Sequence, residues 1–187
     1  MNEQNNIDWN TLRDQAYNTA CEHGFHDKKY PQSHWLVLIT SELIEAVNAD
    51  RSGKHADIQQ FLRYEDSTTY KHCFETFIKD SVEDELADAA IRILDFCGLY
   101  NIDINALHDG YGVSIADNIK PMLLTSKIWL LIGQLANIGM HTDEMSIVSV
   151  LQLLEDIAES MDIDLLWHIE KKTQYNQERE YLHGKLY

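Results

Sequence analysis

Residues 33–47 have the sequence SHWLVLITSELIEAV, an apolar segment that carries two glutamates, Glu42 and Glu45. Its apolar residues recur at three- and four-residue intervals, which predicts an amphipathic helix with one face in a core. The residues expected on that core face are Leu36, Val37, Ile39, Leu43, Ile44 and Val47. Because Glu42 and Glu45 are three residues apart, their β-carbons lie on one helix face, about 5–6 Å from each other.

A second acidic pair, Glu85 and Asp88, occurs in DELADAAIRILDFCGL, residues 84–99. This segment has the same helical periodicity, and its predicted core residues are Leu86, Ala89, Ala90, Ile93, Leu94 and Cys97. Four carboxylates on two packed helices repel one another unless a cation neutralises them. An oxygen-rich site suits Mg²⁺, or alternatively Mn²⁺. The sequence therefore predicts a metal site, although solvated surface charges would give the same spacing.

The composition predicts an all-α protein in one domain, residues 1–187. The chain has 187 residues, 44% of them hydrophobic, and contains only 8 Gly and 2 Pro. With 31 acidic residues against 15 basic ones, the net charge of −16 disfavours binding to nucleic acid polymers and to anionic membranes. No apolar run reaches the ~18 residues of a membrane span. The polar N-terminus and three cysteines without metal-like spacing predict a cytoplasmic protein.

The periodicity predicts further helices on both sides of these two segments. The expected helices are 8–22, 33–49, 57–65, 71–100, 121–138, 142–161 and 165–182, with an irregular connection at 103–119. Pro121 suits the first turn of its helix, since the missing N–H is not needed there.

The two halves of the chain resemble a diverged tandem repeat of one helix pair, which would make the fold a helical bundle. Residues 1–105 form the predicted metal-binding half, and residues 120–187 a degenerate half with a cationic C-terminal helix. The alignment pairs Glu42 with Gln134, Glu45 with Asn137, Glu85 with Ser146 and Asp88 with Ser149. Apolar patterning alone can also produce such similarity between helix pairs.

The order of three motifs resembles the all-α nucleoside triphosphate pyrophosphohydrolases. These are the MazG-like enzymes, whose relatives include dimeric dUTPases, dCTP pyrophosphatases and phosphoribosyl-ATP pyrophosphatase. The motifs are ExxE, then ExxD in an ELAD context, then a C-terminal K-x-x-Y-N-x-x-R pattern formed by Lys172, Tyr175, Asn176 and Arg179. Three features depart from the family: Ser41 stands where many relatives have another acidic residue, the two acidic pairs are far apart in the chain with an insertion around residues 57–70, and a helix pair precedes the closing pattern.

This resemblance implies Mg²⁺-dependent hydrolysis of a nucleoside triphosphate, standard or not, to the monophosphate and pyrophosphate, in a homodimer. It implies that the four carboxylates hold the metal, that Glu45 activates the water, and that His34 and Trp35 form part of a base pocket. Trp35 could equally be a core residue. Lys172 and Arg179 lie two helical turns apart and could hold phosphates, with Asn176 and Tyr175 near the sugar. A solvated helix would carry the same charges.

Two alternative functions remain open at this level. One is a phosphoribosyl-ATP pyrophosphatase-like activity. The other is a non-catalytic helical interaction module, which would keep the apolar faces and lose the acidic sites, as the second half does.

Overall fold

The structure, a computed structural model, describes residues 7–108, 114–138 and 144–184. All regular elements in these ranges are helices, which confirms the predicted all-α class. They are α1 (Trp9–Glu22), α2 (Gln32–Arg51), α3 (Ile58–Tyr64), α4 (Tyr70–Phe77), α5 (Val82–Leu99), α6 (Ile104–His108), α7 (Ala116–Ile119), α8 (Leu124–Ile138), α9 (Glu144–Glu159) and α10 (Leu165–Gln177), followed by a 3₁₀ turn at Tyr181–Gly184.

Helix α5 is the centre of the bundle. It packs against α1, α2, α9 and α10, while α8 packs against both α2 and α9. Its predicted core residues are all buried, because nearly every side of α5 faces another helix. A smaller apolar cluster joins α3, α4 and α10 around Phe61, Phe74 and Tyr175. Among the described residues, no helix combines the length and the apolar character needed to cross a membrane.

The predicted helix 71–100 is wrong, because the structure divides it into α4 and α5. The chain turns at Asp80, which has a φ of 58°. Asp is one of the few residues other than Gly that adopt this left-handed conformation readily. Ser81 then caps α5, its hydroxyl accepting a hydrogen bond from the backbone N–H of Asp84. This turn sets the direction in which α5 leaves α4.

The predicted core face of α2 is partly wrong. Leu36, Ile39 and Leu43 are buried, but Val37 is 65% exposed and Ile44 is 45% exposed. The buried stripe is rotated toward the acidic side of the helix, so that Glu42 lies within it. The periodicity identified the helix correctly but not which apolar residues face inward.

Two helix boundaries and one connection also differ from the prediction. Helix α8 begins at Leu124, so Pro121 lies in the preceding turn and not in the first helical turn. Helix α10 ends at Gln177, which places Arg179 beyond the helix. The connection 103–119 contains two short helices, α6 and α7. Thr142, the predicted start of α9, lies outside the described residues.

Candidate functional site

A cavity lies between α1, α2, α5 and α10, and all four predicted carboxylates line it. Glu42 and Glu45 come from the middle of α2, and Glu85 and Asp88 from the first half of α5. The two helices run in opposite directions, since Glu45 approaches Glu85 while Glu42 binds Arg92 further along α5. The i, i+3 spacing therefore presents both acidic pairs to the same space.

Three of these carboxylates form a compact group. Each of Glu42, Glu45 and Glu85 offers an oxygen atom, and these atoms all lie within 4.8 Å of one another. Glu42 and Glu85 are buried, whereas Glu45 is exposed. A second group with the same mutual distance consists of Asp80, Asp84 and Glu85. Both groups offer only carboxylate oxygens, the ligands that Mg²⁺ and Mn²⁺ prefer, so the residues fit such an ion.

Asp88 is placed differently from the three glutamates. Its Oδ2 atom lies 2.8 Å from the Nζ atom of Lys172 on α10. The same ammonium group lies 2.8 Å and 2.9 Å from the two carboxylate oxygens of Asp84. Lys172 is buried, and it forms ion pairs with both carboxylates, which are one helical turn apart. Asp88 thus lines the cavity but lies outside the groups of three just described.

The crowding of carboxylates changes their protonation. Burial, together with the nearby charges of Asp88 and Asp84, raises the pKa of Glu85 to about 8. Burial also raises the pKa of Glu42, against the opposing effect of Arg92. For Asp88, burial acts in the same direction, but Lys172 outweighs it and the net pKa is lowered. The cations already present therefore neutralise the Asp88 side of the cavity more fully than the Glu85 side.

Arg92 binds a carboxylate of the facing helix α2. Its Nε atom donates a hydrogen bond to Oε1 of Glu42, and not to Asp88 one turn earlier on α5. Lys79 also lines the cavity, and its Nζ atom lies 2.8 Å from Asp80. Arg92 belongs to α5 itself, whereas Lys79 lies in the turn between α4 and α5.

The predicted substrate-binding residues divide into two sets. Trp35, Lys172, Asn176 and Arg179 line the cavity, as a substrate-binding role requires. Tyr175 does not, because it is buried in the small apolar cluster. There its ring stacks on Phe74 with the centroids 4.5 Å apart, and its hydroxyl donates to Glu75 at 2.9 Å.

His34 is also outside the lining of this cavity. Its ring stacks on Tyr30, with the ring centroids 4.2 Å apart. It is next to Trp35 at the start of α2, but only Trp35 is among the residues that line the cavity. The sequence could not separate the two neighbours, since both precede the acidic pair.

The sequence interpretation missed two features of the cavity. Asp84 and Asp88 both contact Lys172. The four-residue interval between the two aspartates could have indicated that they lie on one face of the helix. Asp95 lines the cavity two turns after Asp88, and His26 Nε2 lies 2.7 Å from its Oδ1 atom. His26 and Asp95 are 69 residues apart in the chain, so no local pattern connects them.

Comparison of the chain with protein-family models, with curated proteins and with solved structures found no significant match.

Proposed function

We propose that this protein is a Mg²⁺-dependent nucleoside triphosphate pyrophosphohydrolase, which produces a nucleoside monophosphate and pyrophosphate. The observation that carries the proposal is the group formed by Glu42, Glu45 and Glu85, with oxygen atoms within 4.8 Å of one another, inside a cavity that also has cationic residues. A site of carboxylates and cations together suits a substrate that brings both metal ions and phosphates.

The three glutamates would hold the metal ion from α2 and α5. When bound there, Mg²⁺ would neutralise phosphate charge and lower the pKa of a coordinated water. Glu45 is the proposed general base, because it is exposed at the cavity while Glu42 is engaged by Arg92. Its carboxylate would take the proton from the water that attacks the α-phosphorus.

The cations divide into a structural one and substrate-binding ones. Lys172 is already bound by Asp84 and Asp88, so it would orient these carboxylates and stabilise their charge. Arg179 follows the end of α10 and lines the cavity, where its guanidinium group could bind two phosphate oxygens. Lys79 is the second candidate for a phosphate contact. Of the two residues that the sequence predicted to hold phosphates, Arg179 keeps this role in the proposal and Lys172 takes the structural one.

A panel of ribo- and deoxyribonucleoside triphosphates with Mg²⁺ tests the reaction. Pyrophosphate and the matching monophosphate are the expected products, and release of orthophosphate alone would contradict attack at the α-phosphorus. Turnover of phosphoribosyl-ATP but of no common nucleotide would favour the alternative enzymatic activity. A well-folded protein that hydrolyses none of these substrates would favour the non-catalytic module.

Calorimetric titration with Mg²⁺ tests the metal site separately. We expect the wild-type protein to bind the ion and the double variant Glu42→Gln/Glu85→Gln to lose binding. The matched control is Glu170→Gln/Glu178→Gln, which removes two exposed charges on and just after α10 and should keep binding. Equal binding by wild type and the site variant would exclude the proposed ligands.

A further inference from the structure

The cavity has two chemically different ends. Glu85 and Asp88 line it from the first half of α5 and Lys172 lines it from α10, whereas Asp95 lies ten residues after Glu85. This interval is about 15 Å along the helix axis. Toward Asp95, the lining is mostly apolar; it includes Ala16, Thr19, Ala20, Phe25, Trp35 and Ile91. The ionic end suits phosphates, and the apolar end suits a flat ring.

Asp95 is the one carboxylate that lines the apolar end in the described part of the chain. It is buried, and burial raises its pKa, although His26 and Arg92 oppose that shift. Oδ1 is occupied by His26 Nε2 at 2.7 Å. Among the described residues, no side chain donates a hydrogen bond to Oδ2. This oxygen can therefore accept a hydrogen bond from a ligand.

The orientation of Asp95 is set by its aromatic neighbours. The ring of His26 packs against the rings of Tyr17 and Trp35, with centroid distances of 4.9 Å and 4.8 Å. These two contacts restrict rotation of the His26 ring, and its hydrogen bond in turn restrains the Asp95 carboxylate. Such a pre-positioned acceptor can discriminate between ligands at little entropic cost.

We infer that the apolar end of the cavity binds the nucleobase and that Asp95 selects bases with an exocyclic amino group over their oxo counterparts. The inference rests on the proposed function and adds the substrate class to it. Asp95 acts as a specificity residue, because it contacts the base and lies away from the phosphates.

The hydrogen-bonding pattern of the bases explains the selection. The 4-amino group of cytosine and the 6-amino group of adenine each direct an N–H donor outward, which a carboxylate oxygen accepts. In uracil the same position is a carbonyl oxygen, and the N3–H donor lies between two such oxygens. A carboxylate approaching that edge is repelled by both of them. Leaving the buried Asp95 oxygen without a donor also costs free energy.

The test compares nucleotides that differ only at this position. Calorimetry with dCMP and dUMP measures base recognition without requiring catalysis. We expect wild type to bind dCMP about ten- to hundredfold more tightly, the range expected for one hydrogen bond to a charged group. In Asp95→Asn, the amide can donate as well as accept, so the ratio should fall to near one. The purine pair dAMP and dIMP should behave in the same way.

The other possible results distinguish failure of base selection by Asp95 from failure of the proposed reaction. Equal affinities in wild type, no binding of either monophosphate, or an unchanged ratio in Asp95→Asn would overturn the selection by Asp95. Selective binding of dCMP by a protein that releases no pyrophosphate from any triphosphate would overturn the proposed reaction and leave the base site intact. The two ideas therefore fail separately.

A second variant covers the case in which Asp95→Asn does not fold. Ile91 lies one turn before Asp95, lines the same end, and is only partly buried. Ile91→Phe should reduce the space for the base, so that dCMP binds at least tenfold more weakly while Mg²⁺-pyrophosphate binds as in wild type. Unchanged binding of dCMP would show that the base does not occupy this end.

Discussion

The helix pairs α2–α5 and α8–α9 both contribute to the core, but they differ in what they bury. The first pair buries five acidic residues: Glu42, Glu83, Asp84, Glu85 and Asp95. In the described part of the second pair, the one buried charged residue is Lys127. Buried charge is costly, and well-packed apolar residues often stabilise a fold as well or better. A helix pair of this fold therefore does not need buried carboxylates, and their presence in α2–α5 favours a ligand-binding role.

The same comparison bears on the predicted tandem repeat. In the alignment, Glu42 and Glu45 correspond to Gln134 and Asn137 on α8. The pairs pack on each other through α2 with α8 and through α5 with α9. Duplication of one helix pair stays a prediction, but it explains why one pair could lose its carboxylates while the other retained them.

The largest expected difference in stability concerns two buried lysines, Lys172 of α10, which packs on α5, and Lys127 of α8. Lys172 contacts the carboxylates of Asp84 and Asp88, whereas Lys127 has Ser160 Oγ at 2.7 Å as its hydrogen-bond partner. Lys172→Met leaves the buried carboxylate of Asp84 and the partly buried carboxylate of Asp88 without this cation and should lower the free energy of unfolding by about 3–5 kcal/mol. Urea unfolding at neutral pH measures this change.

Lys127→Met is the matched control. Burial lowers the pKa of Lys127, and no described carboxylate pairs with it. Replacing it with an apolar side chain of similar length should change the free energy of unfolding by less than about 1 kcal/mol. Equal losses in the two variants would mean that buried charge has the same role in both helix pairs.

A substitution of Glu45 should lower activity with little effect on stability. Glu45→Gln should lower kcat by about 10²–10⁴-fold, the usual contribution of a general base. Because the residue is exposed, the free energy of unfolding should change by about 0.5 kcal/mol or less. Initial rates of pyrophosphate release and urea unfolding measure the two effects. Asn137→Gln, at the aligned position on α8, should change neither, and unchanged kcat in Glu45→Gln would exclude it as the base.

The outer surface of the second pair suits a second copy of the chain. Trp129 on α8 is 71% exposed and Leu123, just before α8, is 74% exposed, and the neighbouring helix α2 exposes Val37 and Ile44. Between Leu123 and Ile138 the only charged residue is Lys127, which is buried. In a chain with a net charge of −16, two copies repel each other least through such a surface.

We therefore expect a homodimer that Trp129→Glu weakens. A buried tryptophan often contributes 2 kcal/mol or more to an interface, so the dissociation constant should rise about 30-fold. Sedimentation equilibrium measures this constant. Leu62→Glu, at an exposed apolar position on α3, is the control and should leave it unchanged. A wild-type monomer at all accessible concentrations would contradict the prediction.

The sequence predicted the features that depend on local spacing. The periodicity located α2 and α5, and the three-residue intervals placed Glu42, Glu45 and Glu85 on facing surfaces. It could not predict the break at Asp80, because that turn lacks Gly and Pro. The partnership of Lys172 with Asp84 was also inaccessible, since 88 residues separate them and only the packing of α10 on α5 brings them together.

The smallest expected effect concerns His168, which is a buried basic residue on α10, as Lys172 is. Both ring nitrogens of His168 lack a hydrogen-bond partner among the described residues. Burial lowers its pKa, and Glu83 and Asp164 offset this only in part. The unfolded chain therefore takes up a proton more readily than the folded one. His168 should stabilise the fold above about pH 6.5 and lose that contribution as the pH falls below it.

The variant His168→Leu removes this dependence. Between pH 7 and pH 5 its free energy of unfolding should fall less than that of wild type, as measured by urea unfolding at each pH. Glu85 and Asp84 titrate in or near the same range with the opposite sign, because burial raises the pKa of Glu85 to about 8 and that of Asp84 to about 6. They are present in both proteins, so the difference between the two pH profiles isolates the contribution of His168.

The control is His72→Gln, at an exposed position, which should keep the wild-type slope. Parallel pH profiles for His168→Leu and wild type would mean that the histidine is solvated or paired, in contrast to Lys172 one turn later on the same helix.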